Sequence, residues 1–376
     1  MQQVADFKEL RRTVSRMSGL SQVELWGCAM VAALAVVPRI LLEVLADTYS
    51  LPPSGEGDYP FVVFAVGIVA IIAVLRPLYL VLTRHPSPTR QLFRDIRENR
   101  GWLAMAGLMV VALPETLDAA TRFKKIIPQL NPFYADLFLA DIEQRLLGRD
   151  AWQITHALFG PEATRLIDLI YGLWHLVNIS VLTWIVLSRN RAIKLQAALC
   201  YQLAWLVMGA GMAIAFSSVG PCFLEHFTGD VRFRPLMQQL NLAGGETGLH
   251  SLTAMKYLLA TEGRNAVGGG ISAMPSLHVA IATFVFMLTR ILWPRRLAPT
   301  LFALGYYLAI LLGSVHLGWH YLSDGIAGTL GMAAIWAVVR STLSALTSYE
   351  ERLEATKPAS HQSPVTTAIE TNPSTR

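Results

Sequence analysis

The chain predicts an all-α, polytopic membrane helical bundle, and three observations carry that reading. Over its 376 residues, 53% are hydrophobic and only 15% charged, with a mean hydropathy of +0.43. Crossing a bilayer core takes about 20 apolar residues. Runs that reach or approach that length lie near 26–46, 60–83, 102–120, 165–187, 195–217, 276–293, 299–315 and 321–346, so eight transmembrane helices are expected. Lys and Arg cluster beside these runs. In a soluble chain a net charge of +5 and a pI of 9.2 would suggest nucleic acid, but here the placement reads as membrane topology with no nucleic-acid partner.

Residues 1–20 are expected to form a short amphipathic cytoplasmic leader, with Phe7, Leu10, Val14 and Met17 at helical spacing among basic residues. No small-residue cleavage pattern follows, so a retained anchor is expected. Residues 21–349 read as one integral membrane domain and 350–376, rich in Ser, Thr and Pro, as a disordered tail. In the first two spans Arg39 and Glu43 are four apart and can pair, and Arg76 can snorkel to the inner surface.

Orientation follows from loop charge. Arg11, Arg12 and Arg16 precede the first span, Arg84 to Arg100 follow the second, Arg189, Arg191 and Lys194 follow the fourth, and Arg290, Arg295 and Arg296 follow the sixth. All belong inside. Segments 47–59, 121–164, 218–275 and 316–320 then fall outside, although 121–164 carries Arg122, Lys124 and Lys125. Within that segment Pro132 to Asp141 alternates apolar and acidic positions at helical spacing, which predicts one or two helices in the outer interface, held there by packing. The fourth span carries Trp174, His175 and Asn178, with His175 expected to be structural. Gly209 and Gly211 in the fifth allow close helix packing. Cys28, Cys200 and Cys222 lack ligand spacing, so neither a disulfide framework nor a metal site is expected.

Two outer stretches carry chemistry. Gly268 to His278 is a Gly-rich, Pro-Ser turn opening a helix, where free backbone N–H groups and the positive end of the dipole suit a phosphate. Further on, His320 and Asp324 are four apart, so a carboxylate can orient an imidazole. Pro275-Ser276-Leu277-His278 and His320-Tyr321-Leu322-Ser323-Asp324 resemble the second and third motifs, Pro-Ser-Gly-His and Ser-Arg-x5-His-x3-Asp, of the type 2 phosphatidic acid phosphatase superfamily. Leu277 in place of Gly, with His-Tyr-x-x-Asp, is similar to the inositol phosphorylceramide synthase branch. Two departures stand out: Gly313-Ser314 occupies the place of the third motif's Ser-Arg, and Phe227 stands where a Lys-x6-Arg-Pro first motif would begin before Arg234-Pro235.

The resemblance implies a six-helix phosphatase-type core, no cofactor or metal, His320 as nucleophile oriented by Asp324, and His278 as acid and then base. Ser276 belongs to the phosphate-binding turn. Arg234 and Arg232, then Arg264 and Lys256, are the candidate phosphate cations, Arg being preferred because its fork grips two oxygens. The expected activity is a lipid phosphotransferase, resembling an inositolphosphotransferase, with a lipid phosphate donor and an alcohol or lipid acceptor. It would work at the periplasmic, extracytoplasmic face of a bacterial inner membrane. A lipid or polyprenyl phosphate phosphatase on the same scaffold is the alternative, and a non-catalytic transporter or scaffold is a third reading.

Overall fold

The computed structural model describes residues 18–49, 59–246, 248–262 and 269–355, all of them helix, turn or irregular loop. Eight helices follow the predicted runs. Among the described residues six are long and apolar enough to cross a membrane, and Leu277–Leu292 is a shorter apolar helix. In chain order the elements are α1 (Gln22–Ala46), α2 (Tyr59–Leu82), α3 (Pro88–Glu98), α4 (Arg100–Leu130), α5 (Asp136–Leu147), α6 (Ala151–Leu158) and the nearly continuous α7 (Pro161–Gly172) and α8 (Trp174–Leu187). Then come α9 (Arg191–Leu203), which runs on as a π-helix over Ala204–Met212, and three short outer helices, α10 (Leu224–Thr228), α11 (Arg234–Gly244) and α12 (His250–Ala260). The last three are α13 (Leu277–Leu292), α14 (Leu297–His316) and α15 (Leu322–Ala355). Many large apolar side chains of the spans point outward, Val37, Leu41 and Val44 on α1 among them, as a surface solvated by lipid requires.

The third span is longer than hydropathy predicts. Sequence ends the third run near residue 120 and places 121–164 outside, yet α4 continues unbroken to Leu130. Its charges are matched by α1: Arg39 Nη1 lies 2.9 Å from Asp118 Oδ2, Arg122 Nη1 lies 3.3 Å from Glu43 Oε1, and Arg39 Nε pairs with Glu43 at 3.3 Å. Paired charge on facing helices removes much of the cost that makes such a stretch look non-spanning. A buried amide adds to the joint, with Gln202 Nε2 donating to Thr116 Oγ1 at 2.7 Å and to the Val31 carbonyl at 3.1 Å.

The helix ends that carry the basic clusters also meet. Arg191 Nε bridges to Glu24 at 3.0 Å, Arg189 Nη1 donates to Asn99 Oδ1 at 3.0 Å, and Gln22 N donates to Glu350 Oε1 at 3.0 Å. Arg76, expected to snorkel, pairs with Asp95 of α3 at 2.7 Å. Glu350 is thereby tied to α1; α15 runs to Ala355, and residues 356–376 of the expected tail, like the leader up to residue 17, lie outside the described residues.

Three outer loops are stitched together at the opposite end. The Ala273 and Met274 N–H groups donate to the Ser218 carbonyl at 2.9 Å and its Oγ at 3.0 Å. Cys222 N donates to the Gly318 carbonyl at 2.9 Å, and Ser276 N to the Asp324 carbonyl at 3.0 Å. Close approach needs glycine at two points. Gly220 has φ +89°, and a Cβ there would stand 2.5 Å from the Trp319 carbonyl oxygen; on α15, a Cβ at Gly328 would stand 2.5 Å from the Ser276 carbonyl.

Candidate active site

The first motif-bearing turn opens α13. Ser276 is buried and its Oγ accepts from Val279 N at 3.4 Å, an N-cap that leaves the Leu277 and His278 N–H groups without intrahelical acceptors. His278, one residue into the helix, is held by aromatic rings of the fourth span. Its ring stacks on Tyr171 at 5.0 Å between centroids and lies 4.3 Å from Trp174, whose Nε1 donates to the His278 carbonyl at 3.1 Å. His175, set aside in the sequence reading, has its ring 6.4 Å from that of His278.

The second motif sits beside it. The His278 and His320 rings are 5.9 Å apart. His320 Nδ1 is 2.9 Å from the Ala273 carbonyl oxygen and 3.4 Å from Asp324 Oδ2. Both neighbours are acceptors, so the proton belongs on Nδ1 and the lone pair on Nε2. The expected carboxylate orienter is present, but the shorter contact comes from a backbone carbonyl of the first motif's own loop. Asp324 is fully buried; its Oδ2 accepts from Tyr321 N at 3.0 Å, while Oδ1 has no hydrogen-bond partner among the described residues.

Two acids of α5, read from sequence as packing, brace this arrangement. Asp136 accepts from Val219 N at 3.0 Å, from Gly220 N at 2.8 Å and from the Tyr321 hydroxyl at 3.1 Å, so one carboxylate joins two of the outer loops. Burial pushes its pKa up, against the opposing pull of the N–H groups. Glu143 accepts from Leu322 N and Ser323 N and caps α15 just after His320. Its pKa is pushed up to about 7, by burial foremost.

The candidate cations divide. Arg232 is spent on carboxylates, 2.6 Å from Asp150 and 2.7 Å from Asp141, with the Ala140 carbonyl and Gln144 completing its shell. Arg234 pairs with Glu225 at 2.5 Å on the exposed side of α11. Lys256 is exposed on α12, and Arg264 lies, with Gly268, outside the described residues. The sequence reading passed over Lys124. It stands near the outer end of α4, its backbone against Gly270, where an added Cβ would come within 2.7 Å of Lys124 Cβ. No acidic group pairs with it among the described residues. Its Nζ is 5.9 Å from the Trp205 ring. The only hint in the sequence was its breach of the positive-inside pattern.

A family model described as the PAP2 superfamily matches residues 138–338. The chain belongs to that superfamily. The match begins inside α5 and ends inside α15, so it takes in Glu143, His278, His320 and Asp324. Neither a curated protein nor a solved structure matches the chain. Membership of the superfamily points to a phosphatase or phosphotransferase acting on lipid phosphates at a membrane.

Proposed function

We propose that this PAP2 superfamily protein is a lipid phosphotransferase that passes a phospho-headgroup through a phosphohistidine on His320. The observation that carries the proposal is the pair of acceptors on His320 Nδ1, which leaves Nε2 with its lone pair, next to a second histidine 5.9 Å away. In the first step Nε2 attacks phosphorus, the bond to the leaving oxygen breaks, and His278, as imidazolium, gives that oxygen its proton. In the second step His278 takes the proton of the acceptor hydroxyl, that oxygen attacks phosphorus, and the P–N bond breaks. Lys124 and the free N–H groups at the start of α13 offset the charge on the phosphoryl oxygens. Arg232 and Arg234 act in this scheme as frame residues around the outer loops, and a water in place of the alcohol would make the same cycle a hydrolysis.

A lipid substrate is supported by an apolar groove of about 490 Å³, lined by Leu147, Ile154, Leu308, Leu312, Val315 and Leu322. Leu322 is two residues from His320, so an acyl chain lying there would bring its headgroup to the histidines. Leu277 and the absence of Arg at Ser314 favour transfer over hydrolysis, by resemblance to the inositolphosphotransferase branch. The test is product analysis with radiolabelled lipid phosphate, with and without an acceptor alcohol. An alcohol-dependent phosphate ester of the added alcohol supports transfer; free phosphate alone, at an unchanged rate, would make the protein a phosphatase. The loss of a trapped phospho-enzyme in His320→Ala checks the covalent step, and its persistence would refute it.

A further inference from the structure

A second cavity lies at the other end of the molecule. It measures about 830 Å³ and is lined by Arg94 and Arg97 of α3, Arg100 and Trp102 of α4, and Arg189 and Arg191 of the α8–α9 connection. Five guanidinium groups from three elements thus face one space at the basic, inner end of the bundle, and the only acid in its lining is Glu98.

Topology alone requires basic residues here, but not a walled cleft, and this one is built. Arg189 stacks on Trp102 with its guanidinium carbon 3.9 Å from the ring centroid, and the Trp102 Nε1 donates to the Ser188 carbonyl at 2.8 Å. Two glycines make room for the side chains. A Cβ at Gly19 would stand 2.8 Å from Arg100 Nε, and one at Gly101 would collide with Arg191 Nη1. Lys194 Nζ, fully buried and without a hydrogen-bond partner among the described residues, lies 4.9 Å from the same indole. Arg191 is matched by Glu24, but Arg94 and Arg97 are exposed and bridge to no carboxylate among the described residues. The charge of Arg94 and Arg97 is left unpaired among the described residues.

We propose that this cleft is a second phosphate seat, separate from the catalytic one, which holds the phosphate of an anionic phospholipid of the inner leaflet. A guanidinium fork matches phosphate oxygens, and several forks around one cavity favour an anion with more than one oxygen to share. The lipid source is favoured by α3. This helix carries no buried residue, exposes Phe93 and Ile96, and places Arg94 and Arg97 beside them, which sets the cleft at the depth of lipid headgroups.

The test uses the full chain in detergent, with native mass spectrometry counting retained lipid. The probes are phosphatidylglycerol, phosphatidylcholine and inorganic pyrophosphate. Arg94→Gln/Arg97→Gln changes two exposed side chains and leaves the catalytic site intact. With about fivefold per surface cation, phosphatidylglycerol retention should weaken about 25-fold in the variant, while phosphatidylcholine retention and turnover stay unchanged. Arg94→Lys/Arg97→Lys should restore most of the retention. Equal retention of phosphatidylglycerol by the wild type and the Gln variant would overturn the site. Pyrophosphate binding that depends on these arginines, with no arginine-dependent lipid retention, would overturn the lipid as occupant.

Discussion

Glu143 provides a test of the frame that holds the site, because the position of its carboxyl sets a measurable pH dependence. An exposed glutamate titrates near 4.5, and burial raises Glu143 to about 7 in the folded protein. The folded state therefore holds a proton that the unfolded state has released. Stability from this group is complete below pH 4.5, declines as pH rises between the two values, and is gone above 7. At 1.36 kcal/mol per pKa unit the difference amounts to about 3 kcal/mol. In Glu143→Gln the amide oxygen can still accept from Leu322 N, but nothing titrates. Thermal unfolding in detergent micelles, followed by intrinsic fluorescence from pH 5 to pH 8, should show a fall in Tm on the order of 5 °C for the wild type. The fall should largely disappear in Glu143→Gln. A decline that survives in Glu143→Gln and vanishes in Asp136→Asn would refute this assignment and move the titration to the other brace.

Four further outcomes are expected. Lys124→Met should weaken vanadate or substrate phosphate binding by 10-fold or more, as loss of a charged hydrogen bond of about 1.5–3 kcal/mol implies, while Arg234→Ala leaves it within about twofold; the reverse order in a binding titration would return the phosphate cation to α11. Asp324→Asn should slow phospho-enzyme formation by about 10- to 100-fold, and by less than His320→Ala, because the Ala273 carbonyl still fixes the Nδ1 proton; rapid-quench trapping checks the order. Gly220→Ala forces a left-handed φ and a contact with the Trp319 carbonyl, and should cost about 1–3 kcal/mol with turnover falling alongside; an unchanged Tm would mean that the loop is not held as described. In a cysteine-free background Gln238→Cys should react with an impermeant thiol reagent in intact cells and Arg295→Cys only after lysis; the opposite pattern would invert the topology.

The membrane fold was legible because hydropathy is a property of segments. All eight runs became helices, and Leu277–Leu292 is the run that falls short in length among the described residues. The boundary of α4 was not legible. Asp118, Arg122 and Lys124 make 115–130 look like a loop, and only the positions of Arg39 and Glu43 on a neighbouring helix turn two of those charges into paired, spanning-compatible groups. A window along one segment cannot register a partner 79 residues away.

In the site, residue types at fixed local spacing were readable and long-range use was not. His320 and Asp324 are related by one helical turn, and Ser276 caps the helix that His278 begins, so both relations are written within a few residues. The carbonyl of Ala273 on His320 reaches across 47 residues and carries no side-chain signature at all. The cations make the point most sharply. Arg232, Arg234 and Lys124 are equal as charges in a sequence, and what separates them is the company they keep. A guanidinium already gripped by Asp141 and Asp150 gains little from a phosphate, because it must give up ion pairs to bind one. Lys124, with no acid against it among the described residues, has no ion pair to give up, and for that reason it is the phosphate cation of the proposed scheme.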